Sequence, residues 1–363
     1  MWTGGKSQLS LGPMLAFGPS MPRVATLQDV AQHAGTSVAT AGRALGGYGK
    51  VSSSTRKRVL DTASKLNYHP NAIARGMKQR SSSTIGIIIG DICSSFFSTI
   101  VRAIEAAVMP HGYKVIVCNS DENIEKELMH AKGLFEHRVD GLIVATTIGE
   151  DGKPCRAIKE VYGSRVPTVF VDRAVEGAEI PSVYCDHDAA SYEATVHLIK
   201  QGFRRIGVVL GRRTLDPMAR RIEGYRKALV DNRIKFDPAL VIDGRDLGVE
   251  GGYNATRELL RRKPRPTALL VMNNLLTLGA LNAIRGADLQ VPKDVAIVGW
   301  DDFYAAPFLS PPLTTIEQPA RSMGTIAAEQ LLKMLLGEPT NPSLHVVLKT
   351  NLIVRESSLG PLS

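Results

Sequence analysis

The sequence predicts a small all-α domain followed by an α/β core of two doubly wound parallel-sheet subdomains. Three observations predict this fold class. The chain has 363 residues, more than a single hydrophobic core usually supports. Residues 26–77 have the pattern of short helices joined by tight turns, and the remainder alternates short apolar runs with helical stretches. Wholly apolar strands separated by helices are typical of parallel sheets covered on both faces.

The positive charge of the chain is concentrated in one segment. Lys and Arg number 44 against 35 Asp and Glu, a formal charge of +9. Residues 21–80 hold ten Lys or Arg and two Asp or Glu, whereas residues 81–363 hold 33 of each. A basic module on a neutral body predicts a nucleic-acid or acidic-surface partner for that module alone. A uniformly cationic protein is excluded.

The apolar runs, the first residues and the cysteines argue against a membrane protein, a secreted protein and a metalloprotein. The longest uncharged apolar stretch, residues 267–284, contains three Asn and predicts a strand, a turn and a helix start instead of a membrane span. Residues 1–22 carry one Lys, so we expect a disordered leader or an upstream start codon, with Met21 as an alternative start, over a secretory signal. The four cysteines lack metal-ligand spacing, so we expect no metal, no cofactor and a reducing cytoplasm.

Residues 26–45 carry the strongest motif. Thr26 and Asp29 have capping-box spacing at the start of a first helix, Gly35 ends that helix, and Ser37 caps a second one. Helix, Gly-containing turn and helix are the parts of a helix-turn-helix, whose second helix enters the DNA major groove. The second helix is predicted to bury Val38, Ala41 and Leu45, and a third helix, from about Ser52 to Pro70, to bury Val59, Leu60, Ala63 and Leu66.

The side chains of the second helix indicate which DNA contacts it could make. Arg43 can make a bidentate contact to guanine, and Thr40 can bond a base or a phosphate. Val38 and Ala39 can touch only thymine methyl groups. Phosphate contacts are predicted for Lys50, Arg56, Lys57 and Arg58. The alternative is a small helical domain with a solvated basic face.

The core has polar residues where predicted strands end. Strands are predicted over 85–90, 114–119, 141–145, 168–172, 206–211, 240–243, 268–273 and 295–300, and helices over 97–108, 125–136, 189–200, 219–231 and 253–260. In open parallel sheets, ligands bind beyond the carboxyl ends of the strands. Asp91, Asp172, Asn273 and Asp301 stand at such ends, although solvated loops there are commonly polar too. Planar Asp, Asn and Arg side chains suit the hydroxyls of a polyol, each a donor and an acceptor.

From residue 25 to about residue 356 the sequence resembles the lactose-repressor (LacI/GalR) family of bacterial transcription regulators. The resemblance lies in D-V-A-Q-H-A-G-T-S-V-A-T (29–40), V-S-S-S-T-R-K-R-V (51–59) and L-N-Y-H-P-N-A-I-A-R (66–75). It implies a homodimer with one recognition helix per half-site and a hinge helix over residues 71–78 that folds on operator DNA. Met77 stands where a Leu usually wedges into the minor groove. The predicted DNA contacts are Thr26, Leu27, Ser37, Val38, Ala39, Thr40, Arg43, Lys50, Thr55, Asn71, Ala74 and Met77.

The core resembles that of the same family, which is shared with periplasmic sugar-binding proteins. The resemblance places D-I-C-S-S-F-F (91–97), V-F-V-D-R (169–173), M-A-R-R-I-E-G-Y (218–225), V-M-N-N-L-L-T-L-G-A-L (271–281) and V-A-I-V-G-W-D-D (295–302) around an effector cleft. Ser94 replaces a common Asn, and Asn274 a frequent Asp. The implied effector residues are Asp91, Ser94, Phe96, Phe97, Asp172, Arg173, Arg221, Leu247, Asn273 and Asp301.

The predicted organisation follows from these motifs. We expect a leader over 1–22, the helix-turn-helix domain over 23–70, a hinge and linker over 71–84, the core over 85–356 with crossovers near 186–189 and 317–320, and a tail over 357–363. The helix opening at Phe97 and the helix over 327–336 are expected to support the dimer.

The predicted function is a DNA-binding regulator, a repressor, controlled by a monosaccharide, sugar acid or polyol. Inducer and corepressor both remain open, as do the operator sequence and the regulated genes. The main alternative is a periplasmic sugar-binding protein, which the helix-turn-helix disfavours. A sugar- or nucleotide-acting enzyme is a weaker alternative, because no Gly-rich phosphate loop is present.

Overall fold

The computed structural model describes residues 25–68, 81–147, 166–173, 179–213, 215–244, 246–338 and 345–360. The chain divides into two units, residues 1–80 and residues 81–363. The predicted hinge contacts Asn71, Ala74 and Met77 lie outside the described residues, as does Cys155.

The first unit is three helices around a small core. These are α1 (Leu27–His33), α2 (Val38–Gly46) and α3 (Ser53–Lys65). Thr26 and Asp29 form the predicted capping box, and the Ser37 hydroxyl accepts from the Thr40 amide at 3.1 Å. Two burial predictions were wrong: Val38 and Leu60 are 45% and 48% exposed. The core is instead formed by smaller side chains, namely Val30, Ala31, Ala34, Ala41, Ala44, Val59 and Ala63.

The first subdomain of the core is built on a six-stranded sheet. Its strands are β1 (Thr84–Ile89), β2 (Lys114–Asn119), β3 (Gly141–Val144), β4 (Thr168–Val171), β5 (Ser182–Cys185) and β11 (His345–Leu348), in the order β11-β5-β4-β3-β1-β2. All of its described pairings are parallel. The helices are α4 (Ser95–Val108) and α5 (Ile124–Glu136). Isoleucines of β1 lie in the clusters on both faces of the sheet, which explains why this strand is continuously apolar.

The second subdomain repeats this plan. Its strands are β6 (Ile206–Leu210), β7 (Val241–Asp243), β8 (Ala268–Val271), β9 (Ala296–Trp300), β10 (Thr314–Glu317) and β12 (Asn351–Ile353), in the order β12-β10-β9-β8-β6-β7. The helices are α6 (His187–Lys200), α7 (Asp216–Asp231), α8 (Val249–Leu260) and α9 (Asn274–Gly286). The two sheet orders match strand for strand, so β4 of the first corresponds to β9 of the second.

The chain passes between the subdomains three times within the described residues. It leaves the first sheet after β5 and returns after β10 through α10 (Ala320–Leu336), which packs on α4. It crosses again between β11 and β12, a passage that sequence reasoning missed. The predicted core boundary at residue 356 is too early, because Ser357 and Ser358 are buried and hydrogen-bonded to Thr314.

The predicted fold class is confirmed, with two corrections in detail. Strands β5, β10, β11 and β12 were not predicted; each begins with a polar residue, namely Ser182, Thr314, His345 and Asn351. The sheets are also not purely parallel, since β12 pairs antiparallel with β10. Across the described ranges, every helix is too short or too polar to span a lipid bilayer.

Candidate ligand cleft and nucleic-acid interface

The carboxyl ends of both sheets face one cleft of about 510 Å³, a volume that includes space open to solvent. Its wall contains all ten residues predicted for the effector: Asp91, Ser94, Phe96, Phe97, Asp172, Arg173, Arg221, Leu247, Asn273 and Asp301. It also contains Glu122, Leu215, Pro217, Met218, Asn274, Leu275 and Gln318, which were not predicted as contacts.

Arg173 is held by carboxylates of its own subdomain. Its Nη1 and Nη2 donate to the two Glu122 oxygens at 2.7 and 2.6 Å, and its Nε donates to Asp172 at 3.2 Å. A further bond runs from Nη1 to the Thr146 carbonyl at 2.8 Å. Burial alone would lower the pKa of Arg173, but the Glu122 carboxylate raises it above its ordinary value. Four of the five guanidinium donors are therefore occupied, which leaves one for a ligand.

Glu122 was missed, although it follows β2 as the polar residues at the other strand ends do. Its backbone is left-handed, with φ 52°, and its side chain lies beside β1. A Cβ at Gly90 would stand 2.0 Å from Glu122 Oε1, so the residue after β1 must be glycine for this carboxylate to fit.

Arg221 is buried without a direct ion pair. Its guanidinium lies 3.9 Å above the Trp300 ring, and its Nη1 donates to the Met272 carbonyl. Its Nε lies 3.4 Å from His187 Nδ1. Burial lowers the pKa of Arg221 to about 10, against the influence of Asp301 and Asp172. No carboxylate among the described residues comes within 4.0 Å, so this cation is free to bind a ligand oxygen.

Asp172 and Asp301 occupy matching positions after β4 and β9. Both have left-handed backbones, with φ 71° and 64°, and each amide donates to the adjacent strand. Asp301 accepts from Gln318 Nε2 at 2.7 Å. Burial raises the pKa of Asp301 to about 6 and also raises that of Asp172, while Arg221 opposes both shifts. Left-handed non-glycine residues held at buried, paired positions are typical of binding sites.

Gln318 lines the cleft and His187 lies against Arg221, and neither was predicted as a contact. Gln318 follows β10, a strand that was not predicted, and its buried Oε1 has no partner among the described residues. His187 begins α6, and burial, followed by the charge of Arg221, lowers its pKa well below the usual value. It is therefore neutral, and its Nδ1 faces the Arg221 guanidinium.

Both asparagines after β8 have side-chain hydrogen bonds within the protein. Asn273 lines the cleft, but its Oδ1 accepts from the Leu276 amide at 2.7 Å and its Nδ2 donates to the Leu247 carbonyl. Asn274 reaches across to the first subdomain, where its Nδ2 lies 2.9 Å from Ser95 Oγ. Arg212 makes the second such bridge, donating to the Glu122 carbonyl at 2.7 Å. These bonds link the two subdomains at the cleft.

Three further predicted residues complete the wall. Phe96 and Phe97 are buried and meet edge to face at 5.2 Å. Asp91 turns back to accept from the Cys93 amide. Within the ranges that the structure covers, no three His, Cys, Asp or Glu side chains converge to hold a metal ion.

The predicted DNA contacts divide into exposed and engaged side chains. Val38, Ala39 and Arg43 are exposed on α2, as is Lys50 beyond it. Ser37 and Thr55 take part in helix caps, while Thr40 and Leu27 are half-buried. Arg56 Nη1 and Arg58 Nε also donate to the carbonyls of Ala44 and Ala34, and their predicted phosphate contacts stay predictions.

Comparison with known proteins gives two family matches. Residues 26–71 match the model for bacterial regulatory proteins of the lacI family, and residues 195–358 match the periplasmic binding protein-like domain. The HTH-type transcriptional regulator RegA of Clostridium saccharobutylicum is 34% identical over 340 residues, covering 92% of this chain and 99% of that protein. The ribose operon repressor of Escherichia coli K12 is 33% identical over 322 residues, covering 89% and 95%.

A solved structure matches over nearly the whole chain. It is the lac repressor dimer bound to operator and the anti-inducer ONPF, with a TM-score of 0.81 and 29% sequence identity. The match covers 93% of this chain and 100% of that one.

Proposed function

Because the chain belongs to the lacI family of bacterial regulatory proteins, and is thus a DNA-binding transcriptional repressor and not an enzyme, we propose that a small polyhydroxyl effector controls its operator affinity. The effector is a monosaccharide or related polyol bound in the cleft between the two core subdomains. Regulators of this family bind operator DNA as dimers. Closure of the cleft on the effector changes the angle between the subdomains. This change favours one of two states that differ in operator affinity.

The observation that carries this proposal is that buried donors and acceptors from both subdomains line one cleft. Among the described residues, no carboxylate forms an ion pair with Arg221 and the buried Oε1 of Gln318 has no hydrogen-bond partner. Asp172 and Asp301 offer carboxylate oxygens from opposite sides. Sugar hydroxyls both donate and accept, so they can satisfy all four groups. The similarity to a protein named ribose operon repressor supports a monosaccharide as the ligand class.

The charges favour an uncharged effector over a sugar acid. Four carboxylates line the cleft, from Asp91, Glu122, Asp172 and Asp301, against the two guanidiniums of Arg173 and Arg221. The Glu122–Arg173 pair is internally neutral. A ligand carboxylate near Arg221 would therefore be surrounded by further carboxylates, at a cost that a hydroxyl avoids.

A thermal-shift screen tests the proposal. Monosaccharides and polyols are compared with the corresponding aldonic acids and phosphate esters, because a ligand that binds only the native state raises the melting temperature by mass action. We expect at least one uncharged compound to raise it. A response to the anionic members alone would contradict the uncharged class, and a response only to aromatic bases would contradict the polyol proposal.

Effector affinity is expected to fall as the pH is lowered through about 6. An ionised Asp301 only accepts hydrogen bonds, so protonation removes an acceptor that the hydroxyls need. With a pKa of about 6, roughly one molecule in ten keeps this carboxylate ionised at pH 5, so we expect about tenfold weaker binding there than at pH 8. Calorimetric titration at several pH values measures this, and a flat profile would contradict it.

Asp301→Asn is expected to weaken effector binding about 10- to 100-fold, because a hydrogen bond to a charged group contributes about 1.5–3 kcal/mol. Without effector, Asp301→Asn should have a higher free energy of unfolding than the wild type at pH 8. Burial raises the pKa of Asp301 to about 6, so the native state disfavours its ionised carboxylate. In the wild type, this lowers the free energy of unfolding as the pH rises from the ordinary Asp range to about 6, and the amide of the variant avoids the loss.

Asp302→Asn is the matched control. This neighbouring carboxylate bonds Arg355 Nη1 at 2.7 Å and Thr315 Oγ1 at 2.6 Å, outside the cleft. The control should keep the wild-type effector affinity. Unchanged affinity in Asp301→Asn would show that the cleft assignment is wrong.

A further inference from the structure

The second subdomain carries a concentrated positive charge at the edge opposite the effector cleft. We call this the basic edge and define it as the loops over residues 201–205, 232–239 and 261–267, which precede strands β6, β7 and β8. These loops contain one carboxylate, Asp237, and eight cations: Arg204, Arg205, Arg233, Lys235, Arg261, Arg262, Lys263 and Arg265.

The three loops form one surface. The Thr267 amide donates to the Arg205 carbonyl at 2.9 Å, and Arg205 Nε donates to the Pro264 carbonyl at 2.7 Å. Arg205 Nη1 also lies 3.3 Å from Asp237. One arginine thus connects all three segments.

Part of this charge has a structural role. Arg204 donates to the Ile199 carbonyl near the end of α6, and Arg262 pairs with Glu258 at 2.7 Å. Arg205 neutralises Asp237, the one acid of the basic edge. The remaining five cations have no ion pair or side-chain hydrogen bond to any described residue: Arg233, Lys235, Arg261, Lys263 and Arg265.

The architecture itself does not require these cations. The first subdomain has the same strand order and the same helix ends, and helix C-termini there would favour cations equally. Its equivalent loops, over residues 81–83, 109–113 and 137–140, carry one Arg and one Asp. The excess is therefore a property of the second subdomain alone.

We propose that the basic edge binds the phosphate backbone of a second DNA duplex, without sequence preference, while the helix-turn-helix unit holds the operator. No large apolar side chain in these described loops is exposed, whereas a protein interface needs an apolar or aromatic centre. Lys and Arg without partners among the described residues, on a surface that exposes no large apolar side chain, instead suit a polyanion, whose binding is driven by counterion release. DNA bound at the operator also places neighbouring duplex at high local concentration.

A bridging assay with the full-length protein tests this. Operator duplex is immobilised, saturated with the protein and washed, and retention of a labelled random duplex is measured over a range of salt concentrations without effector. The test variant carries Arg233→Gln, Lys235→Gln, Lys263→Gln and Arg265→Gln. The control carries the same charge loss on the first subdomain, as Lys114→Gln, Lys126→Gln, Lys132→Gln and Arg138→Gln.

We expect wild type and control to retain the random duplex at low salt. The test variant should lose at least about tenfold of that retention and bind the operator as the wild type does. Equal retention by the test variant would overturn the proposal. So would retention of a poly-glutamate peptide in place of DNA, which would indicate an acidic protein partner, or retention of neither, which would indicate a solvated surface.

Discussion

Arg43→Ala is expected to abolish discrimination between operator and random DNA while leaving salt-sensitive, non-specific binding. Arg43 is exposed on α2, and the loop that follows lies beside it, since a Cβ at Gly49 would be 3.1 Å from Arg43 Cδ. A bidentate arginine–guanine contact contributes about 1–3 kcal/mol of discrimination, and a dimer makes it once in each half-site. Competition titrations of operator against random duplex measure the loss.

Lys57→Ala is the control for this prediction. Lys57 is an exposed cation of α3 that was predicted to contact phosphate. Its removal should weaken binding to every sequence about equally and reduce the salt dependence by about one phosphate contact. If Arg43→Ala behaves in the same uniform way, Arg43 contacts phosphate and does not read bases.

Glu122→Ala is expected to lower the free energy of unfolding by about 3–5 kcal/mol, because it leaves the buried Arg173 guanidinium without its bidentate partner. The side chains of Glu122 and Arg173 are only 6% and 4% exposed, so the pair is a buried one. Urea unfolding, followed by fluorescence or circular dichroism, measures the change.

The preceding residue provides a closely matched control. Asp121 has the same left-handed φ of 52°, so Asp121→Ala introduces the same backbone change. Its partner is Lys126, and their side chains are 54% and 49% exposed. A surface pair of this kind contributes about 0–1 kcal/mol. Equal losses in the two variants would mean that backbone conformation, and not the buried pair, accounts for the effect.

The sequence predicted those parts of the site that follow strands with an apolar run. Asp172 and Asp301 stand directly after four- and five-residue runs that are completely buried, so periodicity located both strands and both carboxylates. Gln318 was missed because β10 starts with two threonines and ends with a glutamate, so its sequence has no apolar run. Glu122 had a usable signal, its place after β2, but its bond to Arg173 joins residues 51 positions apart.

Burial in the helix-turn-helix unit could be predicted only in part from helical periodicity. Helical periodicity assigned Leu60 to the core together with Val59, whereas the fold leaves it 48% exposed. Only tertiary packing decides which side of an apolar stripe meets a neighbour when the core is made mostly of alanine and valine. The same applies to Arg56 and Arg58, whose charge predicted phosphate contacts but whose side chains also bond carbonyls of the preceding helices.

The repeated passage of the chain between subdomains has a consequence during protein synthesis. The first sheet gains β11 from residues 345–348 and the second gains β12 from residues 351–353, so neither sheet is complete until the last part of the chain has left the ribosome. Helices α1 to α3 are local and precede them by about 280 residues, or roughly 15–60 s at ordinary elongation rates. A nascent chain therefore displays its DNA-reading surface well before it has a cleft with which to sense a ligand.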